Sequence, residues 1–227
     1  AGNIGCLHKK NISEIYEVKT DMKDYTKIIY TNIMDYRVSD GDCKRLIYEA
    51  KIKGIPEIIL SPASLCTAEE PLEVYPGRTG VAISYPAGAC YPKNKVYEIK
   101  TIIERFPWID AFYVVPAMGY YLSGKVEECG KEIKMLSEAA QGKKLYLMLE
   151  AASLTTEQIE QYYKFAMENQ VQGIVVESGF DKYDLPEATP ETVRKVAECC
   201  KGALEIIAVC KDLCGNTAER LLAAGAT

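Results

Sequence analysis

The sequence predicts an α/β fold, a TIM-type (β/α) barrel, on three observations. Short apolar runs alternate with longer segments of helical period throughout residues 25–227. The runs are continuously apolar rather than alternating, which marks strands covered on both faces and hence parallel. Seven such strand–helix units follow one another without a long linker, a regularity that favours a closed barrel over an open sheet.

The first strand is Ile28–Met34, and its helix, Ser39–Lys53, has Ser39 as N-cap and Gly54 as stop signal. Glu57–Leu60 is the second strand, with a weakly marked helix around Ser64–Glu73. Val81–Tyr85 is the third and leads into a helix through Val96–Glu104. Ala111–Val115 is the fourth, followed by a helix over Lys125–Ala140 that Gly142 caps. Leu145–Leu149 is the fifth. Its helix opens at Thr155 with Gln158 three residues later, a capping box. Gly173–Val176 is the sixth, and Thr189 starts the next helix with Pro190 in the first turn. Glu205–Val209 is the seventh, and a helix runs from Asn216 to Ala224. A barrel needs eight strands. The eighth is expected at Ala224–Thr227, where the sequence stops, and residues 1–24 are expected as an N-terminal extension.

A chain of 227 residues, 48% of them apolar, can bury one sizeable core without a staple. The net charge is −5 and no basic block is present, which argues against nucleic acid or an anionic membrane as partner. The longest apolar stretch, Ala111–Leu122, is interrupted by Pro116 and Gly119 and is too short to span a bilayer. The first residues carry no apolar leader core. Nine cysteines, an odd number scattered through strands and helices, point to a reducing, cytoplasmic setting rather than a disulfide framework. The densest group, Cys199, Cys200, Cys210 and Cys214, has only His8 as a histidine in the chain and reads as packed thiols rather than a zinc site. No metal and no cofactor are expected.

In a barrel the chemistry sits at the C-terminal ends of the strands. Glu150 and Glu177 stand there after the fifth and sixth strands, as an acid/base pair, a cation site with Asp181, or simply a hydrogen-bonded rim. Tyr30, Tyr85 and Tyr113 are candidates to line the same mouth. Lys211 follows the seventh strand, whereas Lys143 and Lys144 start the fifth at the opposite, non-catalytic end.

Several short segments carry a family resemblance. Glu150-Ala151-Ala152-Ser153-Leu154-Thr155 resembles the E-T-A-L-L-T turn of the deoxyribose-phosphate aldolases. Gly179-Phe180 and Ala188-Thr189-Pro190-Glu191 resemble their T-G-F and A-T-P-E segments. Tyr85-Pro86-Ala87-Gly88 resembles F-P-x-G, Leu122-Ser123-Gly124 resembles K-S-G, and the terminal A-A-G-A-T resembles E-A-G-A-T. The resemblance covers about 200 residues. It implies cleavage of 2-deoxyribose 5-phosphate to glyceraldehyde 3-phosphate and acetaldehyde without metal. It also implies a Schiff-base lysine on strand six, a second lysine on strand seven and an aspartate on strand four. Those positions fall on Val175, Ile207 and Tyr113 (Ala111 from another anchor), and an aspartate of the first unit falls on Tyr30. The phosphate turns fall on Gly179, Phe180, Cys210 and Lys211. An imine needs a primary amine, and Val, Ile and Tyr offer none. The expectation is therefore an aldolase-like barrel without Schiff-base activity, with a sugar-phosphate-like ligand and a homodimeric assembly. Two alternatives stand beside it: a relocated amine at Lys211, and carboxylate or metal chemistry at Glu150 and Glu177.

Overall fold

The computed structural model describes residues 26–35, 37–180, 187–210 and 216–227. Seven strands form one parallel sheet in chain order: β1 (Ile29–Thr31), β2 (Glu57–Leu60), β3 (Arg78–Ile83), β4 (Ala111–Val114), β5 (Lys144–Leu149), β6 (Gly173–Val176) and β7 (Glu205–Ala208). Every pairing is parallel and in continuous register, for example Ala82 with Tyr113, Tyr113 with Tyr146, and Met148 with Val175. The sheet curls into an incompletely closed barrel. Among the described residues an eighth strand is not seen, and β1 and β7 are the edges of the described sheet. The expected extension, residues 1–24, lies outside the described residues.

The helices are α1 (Asp40–Lys53), α2 (Leu65–Leu72), α3 (Pro92–Arg105), α4 (Met118–Leu122), α5 (Val126–Ala140), α6 (Thr156–Glu168), α7 (Pro190–Cys200) and α8 (Thr217–Ala223). Their starts follow local chemistry. Ser39 and Thr155 close capping boxes with Asp42 and Gln158, and Thr189 does so with Thr192 while Pro190 takes the first turn. The short α4 has no sequence signature and was not expected. The Lys125–Ala140 helix ends on Gln141, which itself adopts the left-handed cap conformation (φ 52°), one residue before the expected Gly142. The first strand is shorter than Ile28–Met34 because Asp35 N–H folds back onto the Asn32 carbonyl. The third strand stops at Ile83 because Ser84 takes φ 58°.

Strand alternation sorts the side chains into two sets. The outward set, including Ile58, Leu60, Val81, Ile83, Phe112, Val114, Leu147, Leu149, Ile174 and Val176, packs against the helices. The inward set fills the barrel: Ile59, Ala82, Ala111, Tyr113, Val115, Tyr146, Met148 and Val175, with Ile29, Ile207 and Val209 against them. Gly80 is the concession that lets Tyr113 in, since a Cβ there would lie 2.4 Å from Tyr113 Cε2.

One buried ion pair ties the helical layer to the loops at the strand ends. Lys95 of α3 and Glu132 of α5 are 0% and 1% exposed and 2.7 Å apart. Lys95 Nζ also donates to the Gly88 and Val115 carbonyls, and Glu132 accepts the Ala117 N–H. Every hydrogen of the ammonium is thus used, which is what makes a buried charge tolerable. Lys95→Met strands Glu132 in an apolar layer and is expected to cost about 3–5 kcal/mol in chemical denaturation. A cost below about 1 kcal/mol would show that the pair is dispensable. Gly80→Ala is expected to cost about 1–3 kcal/mol by overpacking against Tyr113, and Tyr113→Phe would not relieve it because the ring, not the hydroxyl, is in the way.

Candidate active site

The mouth of the barrel is built where β3, β5 and β6 end. After Leu149 the chain makes a 3-10 turn, Ala151–Ser153, that brings the Ala152 N–H over β6. After Val176, Glu177 turns sharply with φ 65°, a left-handed conformation that costs energy for any residue with a side chain. Its carboxyl is completely buried, and Oε1 accepts the Ala152 N–H at 2.9 Å. Glu177 Oε2 and Glu150 Oε2 are both buried without a donor among the described residues.

The two carboxyls act on each other. Burial pushes the Glu177 carboxyl up to about 8, hydrogen bonding to Glu150 and its charge push the same way, and the Ala152 N–H and the Lys195 ammonium pull it down. At neutral pH Glu177 therefore carries a proton, and that proton supplies the donor the facing oxygens lack. Lys195 itself donates to the Leu154 carbonyl. Tyr85 closes the third side. Its hydroxyl donates to the Ser178 carbonyl at 3.1 Å, and its ring meets Phe180 edge-on at 6.1 Å. Burial, helped by the Glu150 charge, holds the Tyr85 hydroxyl well above the ordinary phenol range, so it stays a donor.

Glu150, Glu177, Tyr85 and Phe180 thus come together, while the other two tyrosines do not join them. Tyr30 points outward: its ring packs on the helix-side core and its hydroxyl accepts from Lys53 Nζ at 3.1 Å. Tyr113 points inward but leans to the opposite end, where its hydroxyl donates to Glu57 Oε1 at 2.5 Å. It stacks on Tyr146, centroids 4.6 Å apart, and Tyr146 donates to Glu205 Oε2 at 2.7 Å. Arg78 grips Glu57 Oε2 through Nε and an Nη, and Gln172 donates to Glu205. The floor of the barrel is therefore a satisfied polar plug. Lys143 and Lys144 also lie at this end, on the Pro107 carbonyl and near Glu205.

Val175 and Ile207 face the interior, against the inward set. They line a cavity whose described lining also includes Lys27 and Lys53. Gly179 (φ 72°) forms the turn after β6, but Met34 Sδ and Val209 Cγ1 would lie 2.6 and 2.8 Å from a Cβ there, so apolar side chains crowd the turn on that side. Cys210 is half-buried at the end of β7. Lys211, Asp181 and Cys214 lie outside the described residues. Among the described residues no group of three His, Cys, Asp or Glu side chains could hold a metal.

Sequence reasoning missed the floor residues Glu57, Arg78, Tyr146 and Glu205 and the Lys95–Glu132 pair. Only the glutamates at the starts of two apolar strands gave any signal.

No family model matches the chain. Among curated proteins, deoxyribose-phosphate aldolase of Clostridium botulinum (strain Okra / Type B1) is 26% identical over 173 residues, 76% of this chain and 79% of that protein. The Metamycoplasma hominis enzyme of that name is 28% identical over 187 residues, 82% of each. Among solved structures, the Aeropyrum pernix deoxyribose phosphate aldolase, described as a unique tetrameric structure, superposes with TM-score 0.77. It is 20% identical and covers 89% of this chain and 82% of its own. A putative deoxyribose-phosphate aldolase from Coccidioides immitis gives TM-score 0.79 at 18% identity, over 89% and 79%.

The carboxyl pair sets a pH signature. With the folded pKa raised from 4.5 to about 8, the folded chain holds a proton that the unfolded chain has released. Stability then falls as pH rises from about 5 to about 8 and levels off above. Glu177→Gln keeps a neutral donor at every pH. Over that window wild type is expected to lose more than about 1 kcal/mol relative to the variant in urea titrations. A wild-type-minus-variant difference that does not change with pH would show that Glu177 is ionised throughout.

Proposed function

We propose that this chain, a diverged relative of the deoxyribose-phosphate aldolases, keeps their barrel and a small-molecule mouth but does not form an imine. The observation that carries the reading is the character of two inward positions: Val175 and Ile207 are aliphatic and sit in the apolar interior. Capture of a carbonyl as a Schiff base requires a neutral primary amine within bonding reach. Two described lysines, Lys27 and Lys53, line the same cavity as Val175 and Ile207, but they stand before and beside β1 rather than at either strand position, and Lys53 Nζ donates to the Tyr30 hydroxyl.

What the mouth does hold is a protonated carboxyl, Glu177, facing a second carboxyl, Glu150, with the Tyr85 hydroxyl nearby. Such a pair can give and take a proton at a carbonyl or hydroxyl without any covalent intermediate. This supports carboxylate-based proton transfer as the second reading. The ligand we infer is a sugar-phosphate-like small molecule, and we read the protein as a cytoplasmic homodimer. The odd number of cysteines, nine, scattered through strands and helices, and the interspersed acidic charge support the cytoplasmic reading. Among the described residues no helix is long and apolar enough to cross a membrane.

Borohydride reduction in the presence of acetaldehyde or 2-deoxyribose 5-phosphate tests the reading. The intact mass is expected to stay unchanged. A trapped adduct mapped to Lys211 would establish a relocated amine in its place, and an adduct on any other single lysine would overturn the reading equally. Glu150→Gln and Glu177→Gln then separate the second reading. If the pair moves protons, exchange of the α-hydrogens of a bound carbonyl compound in heavy water slows at least about tenfold in either variant.

A further inference from the structure

The carboxyl pair of the mouth is closed off from water on the side where it would act. Glu177 is 0% exposed, and Oε2 of Glu150 is buried beside it. A carboxyl that no solvent molecule touches cannot exchange a proton with a ligand until something over it moves. The neighbouring cavity gives no way in. Its described lining includes Val175, Ile207 and Ser178 but neither glutamate.

The cover has three described parts, and two of them are tied down. The Ala151–Ser153 turn is held to Glu177 itself through the Ala152 N–H at 2.9 Å. Leu154, next along the chain, is buried, and its carbonyl is taken by Lys195 of α7. The third part is Tyr85, half-buried, with its ring packed on the inward set of the barrel. Burial first, and then the Glu150 charge, raise its hydroxyl, so ring and carboxyl are neighbours.

Tyr85 is held far more lightly than the turn that carries it. It follows β3, whereas the carbonyl it reaches, that of Ser178, follows β6, three strands away round the barrel. The side chain thus crosses the mouth as a chord. At the far end it has one neutral hydrogen bond of 3.1 Å and one ring-edge contact, with Phe180. Its own turn is fixed at the root. Gly88 N–H donates to the Ser84 carbonyl at 2.9 Å, and Lys95 Nζ holds the Gly88 carbonyl. A Cβ on Gly88 would lie 2.3 Å from the Pro116 carbonyl oxygen, so the turn has no room to slide that way. The soft coordinates left are the two side-chain torsions of Tyr85.

We propose that Tyr85 is a gate over Glu177 and the Glu150 oxygen beside it, latched by its hydroxyl on the Ser178 carbonyl and opened by a swing of the side chain about a rigid turn. The gate rests on the reading of the carboxyl pair as a reactive group of the mouth.

Carbodiimide coupling of glycine ethyl ester to carboxyls, mapped by peptide mass, measures access without asking what the pair does. The heavy-water exchange of the α-hydrogens reports the chemistry, so gate and reactive pair can fail separately. Loss of one neutral hydrogen bond in Tyr85→Phe is expected to speed labelling of Glu177 about fivefold. Removal of the ring in Tyr85→Ala is expected to speed it at least about tenfold. Glu132, 1% exposed in the helical layer, is the control for unfolding and is expected to stay unlabelled in all three chains. Labelling of Glu177 at the wild-type rate in both variants overturns the proposal. A rise confined to Tyr85→Ala overturns it as well, since the ring would then be a fixed plug and not a latched gate. So does labelling that rises in step at Glu132, because a general loosening of the fold would then be exposing the pair.

Discussion

A side chain at an inward strand position of a small barrel has no lateral escape: it must find room along the axis. The arrangement of this protein follows from how that room is divided. Tyr113 and Tyr146 occupy the lower half as a stacked pair, and Gly80 supplies the space that the Tyr113 ring takes. Two phenol hydroxyls cannot be left dry, so Glu57 and Glu205 stand at the starts of their strands to receive them, with Arg78 neutralising the first. The polar chemistry of the interior is thereby pulled to the floor, and the middle of the barrel is left to Met148, Val175 and Ile207.

The mouth keeps its own polarity by a different device. Two carboxyls brought together in a buried place cannot both ionise cheaply, so one retains its proton. Geometry enforces the approach: the 3-10 turn after β5 aims a backbone N–H at Glu177, and the left-handed backbone of Glu177 accepts strain to meet it. The loops on the neighbouring side, after β3 and β4, are held by Lys95 and Glu132 from the helical layer. Site and scaffold are therefore fixed by two buried charged pairs of opposite kind, one acid with acid and one base with acid.

Much of the fold was legible in the sequence. The N-cap at Ser39, the capping box at Thr155, the Thr189-Pro190 start and continuous apolar runs such as Glu57–Leu60 and Gly173–Val176 placed elements almost to the residue. The phase of a uniformly apolar run is harder to read. In Ile28–Met34 nothing tells which residues face inward, so Tyr30 is a candidate for the mouth by sequence although its ring packs on the helix-side core. Tyr113 shows a second blind spot. The family resemblance points to it or to Ala111, but whether a long side chain leans up or down the axis depends on partners far away in sequence, here Glu57 and Tyr146. Lys95 and Glu132 look like ordinary solvated helix charges until α3 and α5 are packed together. The carboxyls at 150 and 177 were legible because strand ends are marked by where the apolar runs stop.

The filling of the lower barrel makes its residues depend on one another. Val175 packs beside Met148 and the Tyr146 ring, Tyr146 is stacked on Tyr113, and Tyr113 in turn is wedged against a glycine where any Cβ would meet its ring. Each of these residues is comfortable only because of the others. A change at any one of them is therefore felt by the others, and the interior accepts replacement in sets more readily than one residue at a time.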